Sequence, residues 1–466
     1  MMKKMCALMM CSALLMCMTV CGAARFAQAP ETDFDTETEG NGVVITEYTG
    51  KGGNVVIPAT IGGKAVVGIG EEAFSDSGLT SVTIPDGVTT IGAKAFSGCR
   101  SLTSVTIPDS VTDIGGWAFS ECTSLTSVTI PNSVTDIGAG AFAGCTSLKT
   151  ISTHSANQWY KAIDGVLFSK DGETLHTYPM GKQQTVYTIP DSVTTIGKSA
   201  FEGCASLTSV TIPDSVTDIG GWAFSFCSSL TSVTIPDSVT DIGERAFSFC
   251  SSLTSVTIPD SVTDIGTGAF SFCTSLTTVT IPDSVTTIGA GAFSGCSGLK
   301  TISVHSANQE YKAIDGVLFS KGGITLAELL LKYEAMKDGK TLDVVAKNLH
   351  TYPAGGKTAY RIPDSVTAIG ERSFLGCTSL TSVTIPDSVT TIGWAAFANC
   401  TSLTSVTIPD SVTDIGGWAF SGCSSLISVT IPDSVTAIGK SAFYGCSSLK
   451  PEVRADIERR FGEGPF

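Results

Sequence analysis

Residues 207–229 read LTSVTIPDSVTDIGGWAFSFCSS, and close copies of this 23-residue unit follow one another along most of the 466-residue chain. The Ile-Pro step of the unit recurs at Pro85, Pro108, Pro131, Pro190, Pro213, Pro236, Pro259, Pro282, Pro363, Pro386, Pro409 and Pro432. A fixed period of this length predicts a solenoid, in which each coil packs only on its neighbours. Because nearly every position of the unit serves the scaffold, the sequence favours a binding surface over a catalytic site.

Each unit predicts two short extended segments. Before the proline, Val and Ile alternate with Thr and Ser, which is typical of a strand with one buried face. In the unit that starts at Leu102, we expect a turn at 108–110, a second extended segment at 111–114, and a helical turn over 116–120 that buries Phe119. The predicted fold is a repeat solenoid of short parallel β-strands with short helical turns.

The repeated pattern L-x-x-V-x-I-P-x-x-V-x-x-I-G-x-x-A-F-x-x-C resembles the BspA-like, Treponema-type leucine-rich repeat family over about residues 43–450. The resemblance implies a curved, right-handed leucine-rich-repeat coil. It also implies export to the surface of a microbe, adhesion to host proteins or to other cells, and no enzymatic activity. No partner-binding residue of the family can be carried over to this sequence.

Departures from the period divide the chain. Two islands contain near copies of one module, at 148–170 and 299–321, and its Val-Leu-Phe run followed by a turn predicts a β-hairpin. The helical insertion in the second island is either a tolerated surface insertion packed on its own hairpin or a protrusion that contacts a partner. The predicted organisation is 1–29 export signal, 30–80 amino-terminal segment and capping repeat, 81–147 repeats, 148–186 hairpin island, 187–298 repeats, 299–359 second island with helical insertion 327–348, 360–450 repeats and 451–466 carboxy-terminal capping helix.

The net charge limits the possible partners, and the first residues indicate where the protein is located. The formal net charge is −15, which argues against nucleic acid or an anionic membrane surface as the partner. Lys3 and Lys4, the apolar run 5–20 and the small residues 22–24 are typical of an export signal. We expect the protein to be secreted or displayed at the cell surface, with membrane attachment only if this segment stays uncleaved.

Twelve cysteines occupy one column of the repeat, at Cys99, Cys122, Cys145, Cys204, Cys227, Cys250, Cys273, Cys296, Cys377, Cys400, Cys423 and Cys446. Stacked coils lie about 4.8 Å apart, so in-register Cβ atoms are at or beyond the limit for a disulfide. We therefore interpret the column as a ladder of buried thiols. The aspartate columns are interpreted as turn residues, the histidines recur in pairs at equivalent island positions, and no metal, cofactor or catalytic residue is predicted.

The residues that depart most clearly from the repeat consensus are aromatic. The residue before the cysteine is usually Gly, but it is Phe226, Phe249 and Phe272 in three successive units, and Trp222 lies close to the first. Neighbouring variable positions elsewhere carry Trp117, Trp394 and Trp418. Stacked coils would place the three phenylalanines in a stripe, which is either local packing or a partner contact patch.

The leading hypothesis is a non-catalytic extracellular or cell-surface repeat protein that binds proteins or glycoproteins at a cell or matrix surface. One alternative is a structural surface or matrix protein that associates with itself. A second alternative is a glycan-binding module, for which Trp159 near Asp164 is the available support.

Overall fold

The computed structural model describes residues 28–321 and 348–466. The predicted export signal lies outside the described residues up to residue 27, and so does the predicted helical insertion up to residue 347. The described chain is a β-solenoid in which each 23-residue coil contributes two short strands.

The first strand of each coil is the Ser-Val-Thr segment before the proline. Successive first strands pair in parallel, because each coil repeats the same backbone direction. These strands are Gly53–Val56, Leu79–Thr83, Ser104–Thr106, Ser127–Ile130, Thr150–Thr153, Val186–Thr188, Ser209–Thr211, Ser232–Thr234, Ser255–Thr257, Thr278–Ile281, Thr301–Val304, Ala359–Arg361, Ser382–Thr384, Ser405–Thr407 and Ser428–Thr430.

The second strand of each coil ends at the isoleucine before the glycine. The pairing is in register, so that Asp218 faces Asp241 and Ile219 faces Ile242 in the next coil. These strands are Lys64–Ile69, Thr90–Ile91, Asp113–Ile114, Asp136–Ile137, Thr195–Ile196, Asp218–Ile219, Asp241–Ile242, Asp264–Ile265, Thr287–Ile288, Ala368–Ile369, Thr391–Ile392, Asp414–Ile415 and Ala437–Ile438. The predicted solenoid of parallel strands is confirmed.

The core is a set of columns that run along the solenoid. The phenylalanine at the equivalent position of each coil is buried, and within each run of repeats its ring stacks on those of the adjacent coils. The ring centres of Phe224 and Phe247 are 5.1 Å apart, and those of Phe247 and Phe270 are 5.3 Å apart, both with nearly parallel planes. Val, Ile, Leu and Cys columns surround this ladder, so the repeat pattern and the core pattern are the same.

The segment after the glycine is not helical, which corrects the predicted helical turn. Trp117 and Glu121 adopt left-handed backbone, with φ of 54° and 55°. The Trp117 N–H donates to the Ala139 carbonyl of the next coil at 3.1 Å, whereas a helix would direct it back along its own coil. Alternate N–H groups therefore bond to the next coil, while those between them bond three residues back, as from Ser120 to the Trp117 carbonyl, and the segment is a series of tight turns.

The glycine that ends the second strand is required by the spacing of the coils. A Cβ atom added to Gly115 would lie 2.5 Å from the Ala93 nitrogen and 2.6 Å from the Gly92 carbonyl carbon of the preceding coil. The Gly115 N–H meanwhile donates to the Ile91 carbonyl at 2.8 Å. Neighbouring coils thus approach too closely here for any side chain.

The islands are built into the stack. Each contains an antiparallel hairpin whose second strand also pairs with a third, antiparallel strand. In the first hairpin Leu167 belongs to the core of the preceding coils, whereas Val166 and Phe168 belong to the core of the following coils. Leu318 lies in the preceding core in the same way, with Val317 and Phe319 in the following one. The strands are Tyr160–Ile163, Val166–Ser169 and Thr174–Thr177, then Tyr311–Ile314, Val317–Ser320 and Asn348–Thr351.

The hairpins predicted at the Val-Leu-Phe runs are present. Their central strands are buried, with side chains that belong to the core before the island and to the core after it. The two interpretations of the helical insertion concern residues outside the described ranges. A buried asparagine lies at the junction between the first hairpin and the preceding coil. The Asn157 side-chain amide donates to the carbonyls of Pro131 at 2.6 Å and Val134 at 3.1 Å. Its oxygen accepts the N–H groups of Trp159 and Tyr160, so all its hydrogen-bonding groups are used within the fold.

Both ends of the described solenoid are covered. At the amino end, a 3₁₀ turn Glu31–Asp33 leads into the strand Phe34–Glu39, which pairs antiparallel with Gly42–Tyr48. A short strand, Thr60–Ile61, pairs antiparallel with Lys64–Ile69. At the carboxyl end, the helix Pro451–Phe461 buries Ile457 against the last coil.

Candidate functional site

The candidate site lies at the turn edge of the solenoid, where each coil has two residues with left-handed backbone. The first is the second residue after the conserved glycine, and the second immediately precedes the cysteine. Trp222 and Phe226 occupy these positions in one coil, with φ of 62° and 59°. Their N–H groups donate at 2.8 Å to Glu244 and Ser248 of the next coil. The unusual backbone is thus the conformation that turns these N–H groups along the solenoid axis.

Glycine suits the second position, and Gly occupies it in seven coils, at Gly98, Gly144, Gly203, Gly295, Gly376, Gly422 and Gly445.

Phe226, Phe249 and Phe272 hold the same position at a φ of 59° each. Left-handed backbone costs a residue with a side chain about 1–2 kcal/mol. The three rings stack with centres 4.5 and 4.7 Å apart, which is worth about 0.5–1.5 kcal/mol for each of the two pairs. Stacking alone does not offset strain at three residues.

The phenylalanine stripe remains accessible. Phe226 is 43% exposed and Phe249 36% exposed, while Phe272 is half-buried. Exposed apolar rings that lie side by side along one edge are typical of a contact surface. The rings therefore pack on one another while two of them also face solvent, and partner contact by the stripe stays a prediction.

Two arginine–tryptophan pairs flank the centre of the site. The Arg245 guanidinium lies 4.5 Å from the centre of the Trp222 ring, and that of Arg372 lies 4.6 Å from Trp394. Each arrangement is a cation–π contact. Arg372 also has a loose ion pair with Glu371 at 3.9 Å, whereas Arg245 has no ion pair among the described residues.

These residues line one groove with a volume of about 740 Å³. Trp222, Arg245 and the phenylalanine stripe form one end, and Arg372, Trp394, Trp418 and Tyr444 form the other. The floor consists of small residues, namely Gly268, Ser271, Gly291 and Ser294. At the first of the two left-handed positions, two successive coils carry Gly268 and Gly291, whereas the coils on either side carry Arg245 and Arg372.

The groove is continuous across the second island. At this edge the coil before the island contacts the coil after it, because the Gly295 N–H donates to the Leu375 carbonyl at 3.0 Å. The Ser294 hydroxyl donates to the Arg372 carbonyl at 2.7 Å. Residues far apart in sequence therefore form one surface.

The structure brings together six of the seven aromatic residues singled out from the sequence. Trp117 is the exception: its ring lies under Lys198, 5.6 Å from the ammonium nitrogen, and outside the groove. Sequence reasoning missed Arg245, Arg372 and Tyr444. A column-by-column comparison would have found the arginines, because they share the column of Trp222 and Trp418.

The cysteine column is a ladder of free thiols, of which all but the half-buried Cys446 are buried. The Cys122 thiol donates to the Phe96 carbonyl at 3.2 Å, and Cys250 donates to Phe224 in the same way. Burial raises the pKa of Cys99 and of Cys250 to about 12, so these thiols stay protonated. They are placed as small core side chains that tie one coil to the next.

The other polar groups singled out serve local structure. The Asp241 and Asp264 carboxylates accept hydrogen bonds from the preceding threonine hydroxyls. Burial lowers the pKa of His176, whose Nε2 lies 2.8 Å from the Ile137 carbonyl. Within residues 28–321 and 348–466, no three His, Cys, Asp or Glu residues are grouped so that they could hold a metal ion. In the same ranges, no helix has the length and apolar character needed to cross a membrane.

Comparison with known proteins gives one family match. A model of the BspA-type leucine-rich repeat region matches six copies over residues 67–173, 176–315 and 356–459. No curated protein matches the chain.

Several solved structures are similar. A leucine-rich repeat protein from Bacteroides ovatus is 28% identical, with 95% of this chain and 98% of that chain covered and a TM-score of 0.40. A leucine-rich cell surface protein from Faecalibacterium prausnitzii is also 28% identical, with coverage of 95% and 99% and a TM-score of 0.36. The pneumococcal vaccine antigen PcpA is 18% identical, with coverage of 84% and 92% and a TM-score of 0.44.

Proposed function

The chain belongs to the BspA-type leucine-rich repeat family, and from this we propose that it is a non-catalytic protein that binds macromolecules at a cell or matrix surface. Its ligands are proteins or glycoproteins, and the aromatic groove is the main contact surface. The observation that carries the proposal is the phenylalanine stripe, in which three stacked rings, two of them exposed, lie beside a groove of about 740 Å³.

The energetics of association support this surface. Aromatic and arginine side chains are enriched among the residues that contribute most to protein interfaces. The groove combines seven aromatic side chains with two arginines, and its floor of Gly and Ser allows a partner to approach the backbone. The phenylalanine side chains are already held in place by stacking on one another, so little side-chain entropy is lost when a partner binds.

Two further features support an exported, non-catalytic role. The basic residues, apolar run and small residues of 1–29 are typical of an export signal, which supports a location outside the cytoplasm. The buried thiols with a raised pKa and the hydrogen-bonded His176 are poorly suited to act as nucleophile or base.

The test replaces the stripe. Phe226→Gly/Phe249→Gly/Phe272→Gly installs the residue that seven other coils carry at this position, so we expect the fold to be retained. Binding to a panel of purified extracellular-matrix proteins and cell-surface glycoproteins is measured by surface plasmon resonance. We expect affinity to fall by at least about tenfold, which corresponds to about 1.4 kcal/mol.

The matched control is Trp117→Gly, which removes an exposed aromatic residue from the same edge but outside the groove. This variant should bind like the original protein. Unchanged binding by the triple variant contradicts the proposal. Concentration-dependent self-association in light scattering that depends on the same phenylalanines would instead favour a self-associating matrix protein.

A further inference from the structure

We propose that the groove binds an extended acidic peptide segment, with its carboxylates over Gly268 and Gly291 between Arg245 and Arg372. This inference rests on the proposed function and adds the chemistry of the partner. The phenylalanine stripe and the Trp418–Tyr444 corner contact the apolar side chains on either side of the acidic centre.

Charge is the first argument. The protein carries a formal net charge of −15, yet the groove lining contains two arginines and no acidic residue. Glu371 pairs only loosely with Arg372, at 3.9 Å, and Arg245 has no ion pair in the part of the chain that the structure describes. An arginine without a carboxylate partner is able to take one from a ligand, in the bidentate geometry that guanidinium favours.

The second argument is the direction of the arginine side chains. The aliphatic stems of both side chains pass beside the glycines at the centre of the floor. A Cβ added to Gly268 would lie 3.1 Å from the Arg245 Cγ, and a Cβ added to Gly291 would lie 3.0 Å from the Arg372 Cδ. The two glycines lie in successive coils, so the arginines converge on one region from opposite ends of the groove. Ligand carboxylates placed above these glycines lie between the two arginine side chains.

The third argument separates a peptide from a sugar chain. Sugar rings pack against open aromatic faces. In the stripe, the planes of Phe226, Phe249 and Phe272 lie within 4° and 7° of parallel to their neighbours, so the rings present their edges to solvent. The Arg245 and Arg372 guanidiniums lie over Trp222 and Trp394. Ring edges carry partial positive charge and suit apolar side chains and carboxylate oxygens.

The dimensions fit an extended segment. The groove runs from the coil of Phe226 to the coil of Gly445, which is seven coil spacings or about 34 Å. An extended chain rises about 3.3 Å per residue, so about ten residues span it. Arg245 and Arg372 lie three coil spacings apart, or about 14 Å. The acidic centre of the peptide is therefore about four residues long.

The experiment uses an array of ten-residue peptides composed of Asp, Asn, Phe and Pro, probed with the labelled full protein. Each Asp peptide is compared with the same sequence carrying Asn. A charged hydrogen bond contributes enough for about a 10-fold to 100-fold preference for Asp over Asn. We expect this preference in the original protein and its reduction to less than about 3-fold in Arg245→Gln/Arg372→Gln. The matched control, Lys94→Gln/Arg100→Gln, removes two exposed positive charges outside the groove and should keep it.

The outcomes separate the two proposals. Equal binding of Asp and Asn peptides, or a preference that survives Arg245→Gln/Arg372→Gln, overturns the acidic-peptide inference. An array without binders overturns it as well. If the matrix panel is still bound through the phenylalanine stripe in these cases, the surface-binding function stands. If the original protein binds neither the peptide array nor the matrix panel, both the acidic-peptide inference and the surface-binding function are overturned.

Discussion

Two adjacent glycines in one coil allow a sharp test of the stacking. Gly115 and Gly116 precede Trp117, and both lack positive φ. A Cβ on Gly115 would lie 2.6 Å from the Gly92 carbonyl carbon of the preceding coil. On Gly116, the nearest atom would be the Ala139 oxygen at 3.4 Å, which is an ordinary contact. Alanine already occupies the position of Gly116 in other coils, at Ala93 and Ala139.

The expected cost of Gly115→Ala follows from these distances. Carbon atoms in contact lie about 3.5 Å apart, so the coils would have to separate by about 0.9 Å. The 2.8 Å hydrogen bond from the Gly115 N–H to the Ile91 carbonyl would then exceed bonding distance. Overpacking costs about 1–3 kcal/mol and the lost hydrogen bond about 1 kcal/mol, which together give about 2–4 kcal/mol.

The assay is equilibrium urea unfolding followed by circular dichroism on the original protein, Gly115→Ala and Gly116→Ala. Gly116→Ala should change the free energy of unfolding by less than about 0.5 kcal/mol. If Gly115→Ala is equally neutral, the coils are not packed as closely as the stacking argument requires, and the reasoning is refuted.

Two further predictions concern buried polar groups. Above pH 9.0, the stability of the fold should decline, because the raised pKa of Cys99 and Cys250 keeps these thiols protonated in the folded state while the unfolded chain ionises. The stability is fully present below pH 9.0 and is lost as pH approaches about 12. Urea midpoints between pH 8 and about 10.5 should fall less steeply in Cys99→Ala/Cys250→Ala, and equal slopes would contradict this assignment. Asn157→Ala should lower the free energy of unfolding by about 2–4 kcal/mol, because it leaves the Pro131 and Val134 carbonyls and two N–H groups without their partner. The exposed neighbour substitution Gln158→Ala is the control, and a similar effect of both in thermal unfolding would show that the junction does not depend on the asparagine.

The periodicity of the sequence was sufficient to predict the solenoid and its parallel strands. The period fixes which residues stack, so the alternation before Pro236 identified the first strand and the Val-x-x-Ile spacing the second. It did not identify the backbone between Gly220 and Cys227, because Ala, Phe and Ser at these spacings are also compatible with a helix. The left-handed residues are needed to direct N–H groups to the next coil, and that need arises only once the coils are stacked.

The candidate site was only partly predictable. The phenylalanine stripe follows from residues that share a column, whereas the groove depends on the glycines at 268 and 291 and on contact between coils on either side of the second island. Arg245 and Arg372 are ordinary surface residues until the fold places them at opposite ends of one floor. The hairpins of the islands were predicted from the Val-Leu-Phe runs, whereas the division of their side chains between two cores follows only once coils stack on both sides.

The central strand of the second hairpin, Val317–Ser320, has a mechanical consequence. Leu318 belongs to the core before it, and Val317 and Phe319 belong to the core after it. This one strand therefore separates two hydrophobic cores and contributes side chains to both. Under a pulling force applied at the carboxyl end, coils would detach one by one as far as the strand Val317–Ser320. Further extension would then have to open both cores at once. The groove crosses the same boundary. Tension would therefore remove Arg372 and Trp394 from the groove before the phenylalanine stripe unfolds, and a partner would be released while the rest of the protein remains intact.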